Sequence, residues 1–369
     1  MNSIEKNQQY LKRFFVIVFI VCLLLLLTTI VVSFLSLYLF KVDISSTGFD
    51  QKNDILFLKI LQVISMVGIF GLSPLIVAKY FNLAGKKVYH LTKFPSLKQI
   101  AVTVVIFVSV LPVLQWLIVF NESMHLPEVF SALEQWMRSL EDKMAEQMNT
   151  FLEMEKYSDF FVNIFVIAIV PAFFEELFFR GLIQSYLTEW LNKKHLSVLL
   201  TAFLFSAVHF QFFGFIPRLF LGLILGYLFV FTRNLWVPIL FHFINNFLSI
   251  VIVFLQNKNI INDEFENSMS ESYLFVIISL AIVAALFLYF AFYFDKRRDK
   301  SKDWIKVHQT SNEKEAEIIQ GKLENQDIVA SIINKRDSSF LSFGSIEIYV
   351  QPQNVEMAKQ IIDEEINVE

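Results

Sequence analysis

The run FFVNIFVIAIVPAFFEELFFRGLI, Phe160 to Ile183, decides how the chain is read. It has the length of a bilayer crossing, which takes about 20 predominantly apolar residues, yet it holds Glu175, Glu176 and Arg180. Ionisable groups at bilayer depth are costly; by default they mark function and face protein groups or enclosed water. Two later apolar stretches carry embedded polar groups of the same kind: Phe205-Ser206-Ala207-Val208-His209, and His242-Phe243-Ile244-Asn245-Asn246.

Around that run, the whole chain is 55% hydrophobic with 42 phenylalanines and a mean hydropathy of +0.54. Ordinary soluble domains sit at about 45–50% apolar without repeated runs of ~20 residues, so the chain reads as an integral membrane protein. Further runs fall at about 14–40, 55–80, 99–120, 196–213, 215–232, 235–256 and 272–295, which with 159–183 predicts eight transmembrane helices. Basic residues gather at the N-terminus, at Lys86 to Lys98, at Lys193 and Lys194, at Arg233, and at Lys296 to Lys300, while the alternate loops are acidic. By the positive-inside rule both termini lie in the cytoplasm, and the expected location is the cell inner membrane. No basic domain suggests nucleic acid. A lone cysteine, Cys22, excludes an internal disulfide or a thiolate zinc site and reads as a small buried hydrophobe.

Four regions follow. Residues 1–120 are N-terminal spans, 121–158 an external loop, 159–298 the membrane core, and 303–369 a cytoplasmic domain. In the loop, Phe130, Leu133, Met137, Leu140, Met144, Met148 and Phe151 recur at helical spacing among charged residues. This predicts an amphipathic helix lying on the outer bilayer surface, with a lid or partner-binding helix as the alternative. The tail predicts strands at Trp304–His308, Ile328–Ile333 and Ile346–Val350, one helix ending near Asn325 and another opening at Pro352. The fold expectation is therefore an all-α polytopic membrane bundle plus a small α+β, ferredoxin-like cytoplasmic domain.

Residues four apart share a helix face, so Glu176 and Arg180 form an ion pair, read as a structural clamp. Glu175 lies about 100° round the helix without that partner and suits a general base or acid. His209 and His242 are the two histidines embedded in apolar runs, and Asn246 shares a face with His242. Glu175 with His209 could hold and deprotonate a water, and His242 with Asn246 could donate to an oxyanion. Alternatively Glu175, His209 and His242 could bind zinc; no cofactor is the favoured reading, since asparagine is a poor zinc ligand. Pro171 and Pro238, each four residues before one of these groups, could kink their helices and open room for water.

Glu-Glu-x-x-x-Arg, Phe-x-x-x-His and His-x-x-x-Asn, in that order on membrane helices over about residues 155–255, resemble the CPBP family. That family includes CAAX prenyl endopeptidases and bacterial relatives linked to bacteriocin processing or immunity. The resemblance implies an intramembrane endopeptidase in which Glu175 and His209 activate water and His242 and Asn246 form an oxyanion hole. Older descriptions of the family as metalloproteases keep zinc open. The tail resembles small signal-transducing domains, so a ligand or partner of that domain is expected beside the membrane-associated peptide or protein substrate. The rival functions are a non-catalytic scaffold or bacteriocin-immunity protein on the same fold, and a transporter, which would show duplicated halves that this sequence lacks.

Overall fold

The computed structural model describes residues 3–40, 52–81, 90–91, 94–154, 156–261, 273–302, 304–334 and 346–366. The acidic loops at 41–51 and 262–272 and the basic stretch 86–89 lie outside these residues. Two compact units divide the chain at Phe287 and Leu288, a point inside the last apolar run rather than after it.

The first unit is helical. Its elements are α1 (Ser3–Leu35), α2 (Lys52–Ser65), α3 (Leu72–Tyr80), α4 (Leu97–Glu122), α5 (Ser131–Leu152), α6 (Tyr157–Asn163), α7 (Val170–Glu176), α8 (Ser185–Leu191), α9 (Lys194–Ala207), α10 (Phe215–Thr232) and α11 (Trp236–Asn257). Helix α12 (Tyr273–Lys302) runs across the boundary between the units. Among the described residues, six helical segments are long and apolar enough to cross a membrane: Asn7–Tyr38, Ile55–Tyr80, Leu97–Glu122, Tyr157–Leu191, Phe215–Thr232 and Trp236–Asn257. The fifth and eighth expected spans appear as the shorter apolar helices Lys194–Ala207 and Leu274–Tyr289.

Helix α9 stops early for a local reason. Val208, His209 and Phe210 turn the chain, with Phe210 in the left-handed region at φ 52°, a conformation that costs a non-glycine residue roughly 1–2 kcal/mol. The turn is held from three sides. Ser206 Oγ donates to the Phe215 carbonyl at 2.7 Å, Asn121 accepts from the Ile216 N–H at 2.8 Å, and Glu141 accepts from the Phe213 N–H at 3.1 Å.

Tyr157–Leu191 is one continuous span in which α6, α7 and α8 alternate with π-helical turns at Ile164–Ile169 and Leu177–Gln184. Such turns are rare and gather at functional sites, where they widen the helix and re-aim side chains. Pro171 lies just beyond the first. Lacking an N–H, it cannot bond the Ile167 carbonyl four residues back; Asn246 Nδ2 donates to that oxygen instead, at 3.1 Å. Pro238 sits in the first turn of α11, where a missing N–H is harmless, so it opens its helix rather than kinking it.

Helices α9 and α10 approach closely at Gly222, where an added Cβ would lie 3.0 Å from the Cα and Cβ of Ala202. Beside the site, Phe178, Phe179, Leu182 and Phe205 pack with Ile17, Leu24 and Val77 in a buried cluster that joins α1, α3 and α9 to the π turn Leu177–Gln184. Cys22 is exposed on α1, against the expectation of a buried position.

In the second unit, β1 (Ile305–Thr310), β2 (Ala330–Asn334) and β3 (Ile346–Val350) form an antiparallel sheet in the order β1-β3-β2. Helices α13 (Glu313–Asn325) and α14 (Val355–Ile366) supply Ala316, Ile319, Leu323, Ala358 and Ile362 to a core with Ile348 and Val350. The β-α-β-β-α order is that of a ferredoxin-like unit without its last strand. His308 is half-buried and bonds Glu315 at 2.9 Å.

Candidate active site

The site is built around Glu176. Its Oε1 accepts from Arg180 Nη1 at 2.8 Å, one helical turn away, and both side chains are wholly buried. The same oxygen lies 2.9 Å from His242 Nδ1 on α11. A carboxylate only accepts, so His242 carries its proton on Nδ1 and turns Nε2 away from Glu176. Arg180 is fixed further by a 3.1 Å bond from Nη2 to the Gly222 carbonyl, and its guanidinium lies 4.7 Å from the centre of the Phe205 ring. One turn on, Gln184 Nε2 donates to the Gly226 carbonyl at 3.0 Å, a second tie to α10. The clamp read from sequence thus extends over three helical segments, because Glu176 also orients His242.

Glu175 is buried on the neighbouring face, its Oε2 3.9 Å from His242 Nε2 and so beyond direct hydrogen-bond reach. His209, half-buried, bonds the Phe205 carbonyl through Nδ1 at 2.8 Å. A carbonyl also only accepts, so the His209 proton is on Nδ1 and its Nε2 presents a lone pair. Asn246 spends one N–H on Ile167, and its Oδ1 accepts from Asn245 Nδ2 at 3.2 Å. That fixes the amide orientation and leaves its second N–H available.

Glu175, His209, His242 and Asn246 line one cavity of about 160 Å³, together with Asn245 and Arg218. Its remaining walls include Phe205, Leu221, Leu225 and Phe241. By volume this is room for about five waters. Three sequence-distant segments therefore meet: the end of α7, the turn after α9, and α11.

Arg218, Asn245 and Lys59 carry polar functions that the motif reading passed over. Arg218 stands in the apolar run of α10 and Lys59 in that of α2, where it is 6% exposed and packs against the Phe151 ring. The argument applied to Glu175, that a charge within a span demands a reason, would have found both. The loop helix α5 also contributes. Arg138 sits 4.1 Å from the Phe213 ring centre and Trp136 packs on Phe212, so α5 is docked on the turn that follows His209.

Among the described residues no three His, Cys, Asp or Glu side chains are grouped so as to hold a metal ion. Glu175, His209 and His242 share a cavity without converging on one point in this arrangement.

Residues 157–248 match the family model described as Type II CAAX prenyl endopeptidase Rce1-like. No curated protein and no solved structure matches the chain. All six polar side chains of the cavity fall inside the matched segment. With six helices fit to cross a bilayer among the described residues, the chain is an integral membrane protein, and its segment 157–248 is similar to the Rce1-like type II CAAX prenyl endopeptidases.

Proposed function

We propose that the chain hydrolyses a peptide bond of a membrane-associated peptide or protein, with Glu175 and His209 activating water and His242 and Asn246 receiving the oxyanion. The observation that carries this reading is the meeting of those four side chains, drawn from three segments, on one cavity. Glu175 and His209 Nε2 both accept. A water that donates one hydrogen to each keeps an oxygen lone pair for the substrate carbonyl carbon. As the new C–O bond forms, one water proton passes to Glu175 and the former carbonyl oxygen becomes an oxyanion. The second N–H of Asn246 donates to it. His242, held at Nδ1 by Glu176, donates to it through Nε2 when that nitrogen also carries a proton. Collapse breaks the C–N bond, and Glu175 returns its proton to the departing amine.

Within this reading the substrate class in the family's description, a prenylated CAAX tail, is an anchored peptide of the right kind, since a lipid holds it at the bilayer. The zinc-dependent version assigns Glu175, His209 and His242 to the metal instead. The test is cleavage of a lipidated peptide library by the purified protein beside Glu175→Gln, His209→Ala and His242→Ala, with and without stringent metal removal. Cleavage abolished by each substitution and indifferent to chelation supports the proposal. Equal cleavage by all four proteins ends the protease reading in favour of a scaffold or immunity role, and activity that returns only with added zinc moves it to the metal version.

A further inference from the structure

Arg218 shares the cavity with Glu175 and His209, but the clamp does not use it. Its Nη2 is bonded to the neutral side chain of Gln211, while its Nη1 is buried with no hydrogen-bond partner. The contrast with Arg180 is instructive: there both terminal nitrogens have acceptors, one of them a carboxylate. The charges that act most on Arg218 are Glu141 and Glu175. Glu141 is engaged by the Phe213 N–H, and Glu175 belongs to the reacting centre. Space has also been kept for the guanidinium. A Cβ on Gly214 would lie 2.6 Å from Nη2 and 3.2 Å from Nη1. A buried N–H pair without an acceptor is expensive, and the planar fork of arginine matches a carboxylate in two-point fashion.

We infer that Arg218 forms a carboxylate-binding subsite that sets where the substrate is cut, an inference that rests on the endopeptidase reading. The anion is either the C-terminal carboxylate of the substrate or an Asp or Glu side chain. Because the cavity is small and an extended residue spans ~3.5 Å, that anion lies within about three residues of the bond that breaks. Chain-end recognition would make the enzyme a trimmer of tails; side-chain recognition would make it an internal cutter with an acidic preference.

Binding is read on the full-length Glu175→Gln protein, which isolates recognition from turnover. The probes are fluorescein-labelled prenylated peptides, one pair differing as free acid and carboxamide, a second pair carrying internal Asp or Asn. A charge-assisted pair predicts that one acidic probe binds about 10- to 100-fold more tightly than its neutral counterpart. Arg218→Gln in the same background removes that difference, and Arg218→Lys, which keeps the charge but loses the fork, restores part of it. The pair that shows the difference names the source of the carboxylate. Equal affinities within both pairs, or a preference that survives Arg218→Gln, overturn the subsite. Cleavage by the parent protein is scored separately. A protein that binds acids through Arg218 but cuts nothing loses the protease reading alone; one that cuts acids and amides alike loses the subsite alone.

Discussion

Glu175 and Glu176 are neighbours with different duties, and their substitutions should separate. Glu175→Gln removes the group proposed to take the water proton, so kcat should fall by about 10²- to 10⁴-fold, with the thermal unfolding midpoint in detergent little changed. Glu176→Gln removes the negative partner of a wholly buried arginine and the acceptor of His242. Stability should fall by about 3–5 kcal/mol and activity with it, read as a lowered midpoint together with lost turnover. Asn246→Ala removes a proposed oxyanion donor and should lower kcat by about 10²- to 10³-fold. The motifs made Glu175, Glu176, Arg180, His209, His242 and Asn246 legible, since charges and amides in apolar runs stand out. The contact between Glu176 and His242, 66 residues apart, had no local pattern to betray it.

At the scale of elements, the spans were legible from apolar length, but their interior departures were not. Nothing in the composition of Ile164–Ile169 or Leu177–Gln184 separates a π turn from an α turn, since neighbouring helices decide it. Nothing in the sequence around Gly222 marks its close approach to Ala202. Gly222→Ala should overpack α9 against α10, lowering stability by about 1–3 kcal/mol and loosening the Arg180 bond to that carbonyl, a change visible as a lowered unfolding midpoint. The entry to α5 offers a pH test. The Leu126 N–H first, then His125 and Arg138, hold the Glu134 carboxyl at about 2, below its ordinary 4.5. A depressed acid contributes stability above its unfolded value and loses it as pH falls through the folded one. The protection factor of the Leu126 amide, its exchange rate set against the intrinsic rate at each pH, should therefore hold from neutral pH down to about 4.5 and fall as pH drops toward about 2.

For the whole molecule, the two units carry separate cores. Ile348 is fully buried in the sheet unit, so Ile348→Ala should cost that unit about 2–5 kcal/mol, seen as faster exchange confined to residues 305–366. The sequence of elements in that unit, β-α-β-β-α, was readable because alternation and turn residues are local. The docking of α5 on the turn after His209 was not, because an amphipathic face announces that it is covered without naming the cover. The scattered origin of the cavity wall also bears on biosynthesis. Glu175 leaves the ribosome well before Asn246, and at about 5–20 residues per second several seconds separate the two. On the proposed mechanism the nascent polypeptide holds an incomplete set of reactive groups throughout that interval, which would spare the emerging chain and its neighbours in the translocon until the last of those helices has been laid down.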